Sequence, residues 1–590
     1  MRGGLRGSMT TLPQNPEVYA DDAEALAPAA PPSKNGLIQF AIGAAAIAFF
    51  LTLTYRPFTN VSAFLLHRQD RWLLLAAAVL VLLSCVRLSE RAFLPAVQRR
   101  TWLIVALAML VATSAGHFLI LSGYDLSRDE QMATFDATVF GQGHLVAPVP
   151  AFWRDHADVL NTLFLYPAEH RAAWISSYLP FNAALRALFG VIAAPWLVGP
   201  FMTALGAVAL FGCVRRLWPD DREAGFVALV LYAGSAQVLF AGMTSYAMPG
   251  HLALDLCWLW LFLRRTTASD LAALAVGFVA TGLHQPLMHP MFVAPFILLL
   301  LAERRWQRAA LYIAGYAAIG LFWLWWPTWI GSLVQAQPLG PRPEGVDYLS
   351  RLITTLSERD PMGLPNMVAN GLRFIAWQHL LLVPLLLVGA RRYRTDPMIA
   401  ALAGGMVITV LVMAILLPNQ GHGFGYRYLH GLIGNAILLA VYGWKALGEQ
   451  TGQWRTLLLR TTAAGALVVL PLQAVMAHQF YGVSAGISAR LSTINADFVV
   501  LGGRDAATAV DLVHNPPDLS ARPVRLLRDE LTRASVAAIC ASHAKVVLIG
   551  DRMIEPLGSY YAFGPTTADH FNARVAPHFI RAGCRVRKGN

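Results

Sequence analysis

The chain alternates between long apolar runs and short polar connectors. The apolar runs cover residues 37–55, 72–88, 101–122, 196–214, 224–242, 251–263, 270–284, 288–302, 309–330, 374–390, 398–417, 428–446 and 456–476. Most approach the roughly 20 residues that an α-helix needs to cross a bilayer. The pattern predicts about 13 transmembrane helices, of which 251–263, 270–284 and 288–302 are short for that task. From residue 477 the pattern changes. "ADFVVLGG" and "AKVVLIGD" are short β-branched runs ended by Gly, and "ARPVRLLRDELTRASVAAICA" between them reads as a helix. The expected fold class is therefore an all-α polytopic membrane protein with a small C-terminal α/β domain. No internal repeat is evident.

Composition agrees with that pattern. The chain is 56% hydrophobic and 14% charged, whereas a soluble protein carries about 25% charged residues. The first 36 residues are polar, with "APAAPPSKNG" leading into the first apolar run. They lack the basic start, apolar middle and small-residue cleavage site of a signal peptide, and are expected to be a disordered tail. A net charge of +12 would suit nucleic acid, but its distribution argues otherwise. One set of loops holds 21 of the 46 Lys and Arg: the tail, "VRLSERAFLPAVQRR", "VRRLWPDDR", Arg264–Arg265, "ERRWQR", "RRYR" and the Lys445–Arg460 segment. The turns at 243–250 and 285–287 hold none. The positive-inside rule makes the Arg-rich side cytoplasmic. The N-terminus is then inside and residues 477–590 are outside, facing the periplasm of a bacterial inner membrane. The expected organisation is a tail at 1–36, two extra helices at 37–100, a catalytic membrane domain at 101–476 and an outer domain at 477–590. Outer loops are expected at 123–195 and 331–373. Cys540 and Cys584 lie in the outer domain, where an oxidising compartment makes them candidates for a disulfide; two buried free thiols are the alternative.

The candidate chemistry collects on the outer side. "SGYDLSRDEQ" supplies Asp125, Asp129 and Glu130 directly after a span. "MTSYAMPGHLALDL" supplies Tyr246, His251 and Asp255, and "GLHQPLMHP" supplies His284 and His289. "LPNQGHGFGYRYLHG" supplies His422, Tyr426, Arg427, Tyr428 and His430. Polar groups at a membrane edge are expensive to keep and are functional suspects by default. Each also has a plainer reading. Ser127 to Glu130 fits a helix capping box, with Asp129 in the first turn favouring the helix dipole. Each histidine could bond to a carbonyl at a span end, and Arg427 could anchor the interface. Cap and chemistry are compatible, because a cap fixes Asp129 on a rigid helix start. No metal-ligand spacing, P-loop or dinucleotide fingerprint is present, so no cofactor is implied; a divalent cation is neither required nor excluded.

A span ending outside in Asp-Glu and running into "DEQMATFDATVFGQGHLVAPVP" resembles the integral-membrane GT-C glycosyltransferases. The similarity is to the branch with protein O-mannosyltransferases and lipid A aminoarabinose transferases. It covers about residues 101–446, continuing through "SSYLPFNAALRALFG" and "GYRYLHGLIGNAILLAVYG". The Asp-Glu placement is its most specific part. The resemblance implies a polyprenyl-phosphate-linked sugar donor, an acceptor hydroxyl on lipid, glycan or protein, and a site at the outer interface. It implies Asp129 as catalytic base, Glu130 as its support, and Arg427–Tyr428 near the donor phosphate. His422, His284 or Tyr426 would assist there, and Asp125, His251 and Asp255 would stand behind. Two departures bear on sugar and acceptor. "SYLP" replaces a Lys-Pro-Pro stretch, and His284 stands where relatives often carry Lys. Direct attack would invert the anomeric centre, since no second carboxylate can be placed facing the sugar. The alternative class is a secondary transporter or flippase, which would show charged groups near the midplane and broken helices.

Overall fold

The computed structural model describes residues 33–57, 60–95, 97–168, 170–334, 348–357, 362–562 and 564–589. The expected tail lies outside them up to residue 32, as do 335–347 and 358–361 of the expected second outer loop. Among the described residues, six helices are long and apolar enough to cross a membrane: Lys34–Thr54, Arg99–Leu119, Pro195–Leu217, Trp306–Ser332, Pro397–Leu416 and Thr451–Ser492. The pair Arg222–Ala233 and Ala236–Gly242, bent by 55°, makes a seventh if counted as one span. These helices leave large apolar side chains uncovered, including Leu53, Ile104, Leu107, Leu321 and Leu467. Such a surface suits hydrocarbon rather than water. The chain is a multi-pass membrane protein.

The expected 13 spans are corrected by local physics. Met248–Phe262, Thr267–Thr281 and Met288–Ala302 have 15 residues each. At 1.5 Å per residue each reaches about 22 Å, short of a hydrocarbon core of about 30 Å. The run 224–242 breaks where Ser235 accepts the Val238 N–H and starts a new helix after Gly234. The run 374–390 is not one helix. Gly363–Ala376 ends at Trp377, and His379 Nδ1 then takes the Leu381 N–H at 3.2 Å. A continuous helix would have used that donor internally. Only Leu382–Ala390 remains as the second piece. Conversely, 456–476 is too short a reading. The helix runs from Thr451 to Ser492 through a π-turn at Gly465–Val469.

Two segments read as loops are structured. Residues 123–195 contain the Arg128–Gly141 helix, a two-residue antiparallel pairing of Ala147–Pro148 with Ala173–Trp174, and the Phe181–Ile192 helix. Within 331–373, Gly363–Ala376 is a helix that buries Asn366, Asn370 and Arg373. Such buried polar groups hide the apolar periodicity on which a sequence reading depends.

Residues 498–589 hold a parallel four-stranded sheet in the order Val524–Leu527, Phe498–Leu501, Lys545–Ile549, Arg585–Gly589. Helices Arg533–Cys540, Asp551–Tyr561 and Ala568–Arg581 connect its strands. Cys540 and Cys584 are joined in a disulfide. The unit is fastened to the membrane bundle. Arg525 bonds to Ser488 Oγ at 2.8 Å, Gln131 Nε2 to the Asp511 carbonyl at 2.8 Å, and Trp174 Nε1 to the Pro517 carbonyl at 3.0 Å.

Candidate active site

The Arg128–Gly141 helix starts where the sequence pattern puts a cap. Glu130 Oε2 accepts the N–H groups of Ser127 and Leu126, the returning arm of a capping box. Its other oxygen accepts the Ser245 N–H at 3.3 Å, and the Tyr481 hydroxyl donates to the same carboxyl. Glu130 is therefore wholly buried and is not among the residues that line the cavity described below. Burial, with Asp125 nearby, pushes its carboxyl up to about 8. Glu130 ties the helix start that carries Asp129 to the 245 turn and to the last long helix.

Asp129, one residue earlier and about 100° around the helix, faces the other way. Its Oδ2 lies 2.6 Å from Arg427 Nη2 and its Oδ1 accepts the Tyr178 hydroxyl at 2.5 Å. Burial alone would raise its carboxyl, but the charges of Arg427 and His284 and the two hydrogen bonds hold it below the ordinary value of 3.8. Arg427 is fixed in turn. Its Nη1 donates to the His422 carbonyl at 2.6 Å, its N–H to Gln420 Oε1 at 2.7 Å, and its guanidinium lies 4.6 Å over the Tyr246 ring. The glycines of "GHGFGYRY" allow this loop. Gly423 has φ +138°, and a Cβ there would stand 2.5 Å from Arg427 Cδ.

These groups line one cavity of about 380 Å³. Asp129, Arg427, Tyr428, His284, His251 and Asp255 of the sequence-derived set all face it. Phe164, Tyr178, Tyr246, Gln285, Met288, Thr409, Leu417 and Asn419 complete most of the wall. The His284 turn arrives by backbone pairing. The Leu179 N–H donates to the His284 carbonyl at 3.1 Å, and the Tyr178 and His284 rings lie 4.0 Å apart. Burial lowers the His284 ring to about 4, so it is neutral at pH 7 and able to donate one hydrogen bond.

Three expected members stand elsewhere. The His422 ring turns to the Tyr561 hydroxyl at 3.2 Å, and only its carbonyl serves Arg427. Tyr426 is buried with its hydroxyl 3.9 Å from Met367 Sδ. Asp125 accepts from Thr134 Oγ1 at 2.9 Å. Tyr178, Gln285 and Thr409 were passed over: nothing distinguishes a Tyr in "SSYLP", or a Thr inside an apolar run, until the turns converge. A second carboxylate is also present, because Asp255 lies on the same wall as Asp129. Among the described residues no three His, Cys, Asp or Glu are grouped as metal ligands.

No family model matches the chain, and no curated protein matches it. Solved structures do. The chain is similar to ArnT from Cupriavidus metallidurans. In the apo state of ArnT the identity is 12%, covering 81% of this chain and 95% of that one, with a TM-score of 0.46. For ArnT bound to undecaprenyl phosphate the identity is 13%, the coverage 81% and 91%, and the TM-score 0.46. At that level the likeness is one of outline, and the chemistry below rests on the side chains of this chain.

Proposed function

We propose that this protein is a membrane glycosyltransferase that moves a sugar from a polyprenyl-phosphate donor to an acceptor hydroxyl at the outer face of a bacterial inner membrane. The observation that carries this reading is the Asp129–Arg427 pair on the wall of a cavity set among membrane helices. A carboxylate and a guanidinium at one mouth are the two charges that such a transfer needs. Met288, Leu417 and Leu432 give the same wall an apolar side for a lipid-linked substrate.

In this reading the donor phosphate draws Arg427 toward itself by charge-assisted hydrogen bonds, with neutral His284 as a further donor. Asp129 then loses its main counter-charge, and burial makes it a better proton acceptor. The acceptor oxygen attacks the anomeric carbon and its proton passes to Asp129. The bond from that carbon to the phosphate oxygen breaks, and the lipid phosphate leaves as an anion beside Arg427. One direct displacement inverts the anomeric centre. The Tyr178 hydroxyl holds the Asp129 carboxylate in place.

The same reading puts residues 1–36 in the cytoplasm and 477–590 outside, where the C-terminal unit flanks the acceptor side. Asp129→Asn should abolish transfer, by 10²-fold or more as an order of magnitude for loss of a general base, while expression and thermal unfolding stay near wild type. Full transfer by that variant removes Asp129 from the base role. A flippase is the second reading. It is favoured by the Asp255–His289 pair, 2.6 Å apart between the Met248–Phe262 and Met288–Ala302 helices, and by the bent 222–242 pair. Translocation of a fluorescent lipid-linked sugar without transfer, undiminished in Asp129→Asn, would select it.

A further inference from the structure

The cavity has two chemically different ends. Arg427 is the one Lys or Arg among its described lining residues, and it stands with Asp129, Tyr178 and His284. Asp255, His251, Gln285 and Thr409 form a second polar group on the same wall, called here its inner end. Asp255 lies two turns into the Met248–Phe262 helix, about 10 Å from its start.

The inner groups are underused. Thr409 sits in the Pro397–Leu416 helix, yet its hydroxyl has no partner. Four other buried helix threonines, Thr113, Thr203, Thr281 and Thr461, each donate to the carbonyl four residues back, and Thr52 and Thr456 donate to other carbonyls. His251 has no partner on either ring nitrogen, and Gln285 Oε1 has none. His430 shares the state of His251 but lies off the cavity wall. All three lining groups are more than nine-tenths buried. Leaving a buried polar group unpaired costs about 1–3 kcal/mol, so three on one wall call for a polar occupant. A lipid tail cannot supply one.

Asp255 adds a fixed hydrogen-bonding carboxyl to that wall. His289 Nδ1 lies 2.6 Å from its Oδ1, and His289 Nε2 lies 2.8 Å from the Tyr316 hydroxyl. The chain of contacts fixes the carboxyl and leaves Oδ2 toward the cavity beside Gly431, where an added Cβ would stand 3.0 Å away. No Lys or Arg other than Arg427 is among the described residues lining the cavity to pair with a second anionic group, whereas a hydroxyl can hydrogen-bond to this carboxyl directly. Resting on the glycosyltransferase reading above, we propose that this inner end is the subsite for the hydroxyl-bearing ring of a neutral sugar. Asp255 accepts from a ring hydroxyl, and Thr409, His251 and Gln285 complete the polar shell. The phosphate then stays at Arg427, and a uronic-acid carboxylate finds no second cation on the described wall to pair with.

The test uses the full chain in nanodiscs and three probes: polyprenyl phosphate without sugar, the same lipid carrying a hexose, and the same lipid carrying a hexuronic acid. Wild type should bind the hexosyl lipid more tightly than the bare lipid phosphate, and the hexuronosyl lipid no better than the bare one. Asp255→Asn and the shape-conserving Thr409→Val should each weaken the hexosyl lipid by about tenfold, the scale of a hydrogen bond to a buried polar site. Both should bind the bare lipid phosphate as wild type does. Thr409→Val also keeps the test open if Asp255→Asn does not fold. Equal losses for bare and hexosyl lipids, or no loss for either, overturn the subsite; in the second case water serves these groups. Failure of wild type to bind bare polyprenyl phosphate overturns the donor reading, and the subsite with it.

Discussion

At the residue scale, the Asp129 carboxyl is decided by opposing terms. Burial raises it, and Arg427, His284 and Tyr178 together lower it below 3.8. A depressed carboxyl contributes stability above its unfolded value, and that stability is lost as pH falls through the folded value, here below 3.8. The ion pair is thus intact at neutral pH. Arg427→Gln removes the largest opposing charge and leaves burial in command. The acid limb of the kcat/KM profile for residual transfer should then move to higher pH than in wild type. An unmoved limb would mean that some other group titrates. Glu130, its sequence neighbour, shows how one residue of offset changes a role: the same helix turn sends one carboxylate to the cavity and the other into a cage of N–H and hydroxyl donors.

At the element scale, the N-terminal helical segments reach the active-site loop through a buried ion pair and through Ser62, whose hydroxyl donates to the Gln420 carbonyl at 3.2 Å. Arg373 Nε donates to Asp70 Oδ2 at 2.9 Å, Trp377 Nε1 donates to Asp70 Oδ1 at 2.7 Å, and Arg373 Nη2 donates to the Gly423 carbonyl at 2.7 Å. Gly423 neighbours His422, whose carbonyl holds Arg427. Removing one member of a fully buried pair strands the other and costs about 3–5 kcal/mol. Asp70→Ala should therefore lower the thermal unfolding temperature and slow transfer. The double variant Asp70→Ala with Arg373→Met should recover part of the stability without restoring the transfer rate. A single variant as stable as wild type would show that the pair does not hold the loop. None of this was legible in the sequence. Asp70 and Arg373 are 303 positions apart, and each looks like an interface residue beside an apolar run.

At the scale of the whole molecule, the sheet unit at 498–589 is both a flank of the site and a topology marker. It touches the site through Tyr561 and His422 and carries the Cys540–Cys584 disulfide. Closing a 44-residue separation stabilises such a unit by at most about 4 kcal/mol in the chain-entropy account. On the proposed orientation, which puts the C-terminus outside, a membrane-impermeant reductant added to right-side-out vesicles should open this disulfide and lower the unfolding temperature. Reduction only after permeabilisation would reverse the orientation.

The apolar runs, the Arg-rich connectors and the acid cluster at 125–130 were open to a sequence reading because each is local. Hydrocarbon demands a minimum apolar length, connector charge is read by counting, and a helix start announces itself by its caps. The sequence alone thus determined a multi-pass membrane chain with its polar chemistry at a few turns. Tertiary structure decided which turns converge. Only the meeting of residues 129, 178, 246, 284 and 427 distinguishes Asp129 from Glu130 and excludes the His422 ring. Only packing breaks the run 374–390, where His379 captures a backbone donor. The physical reason is the same in each case. A side chain's partner lies up to hundreds of residues away, and burial and charge act through space rather than along the chain.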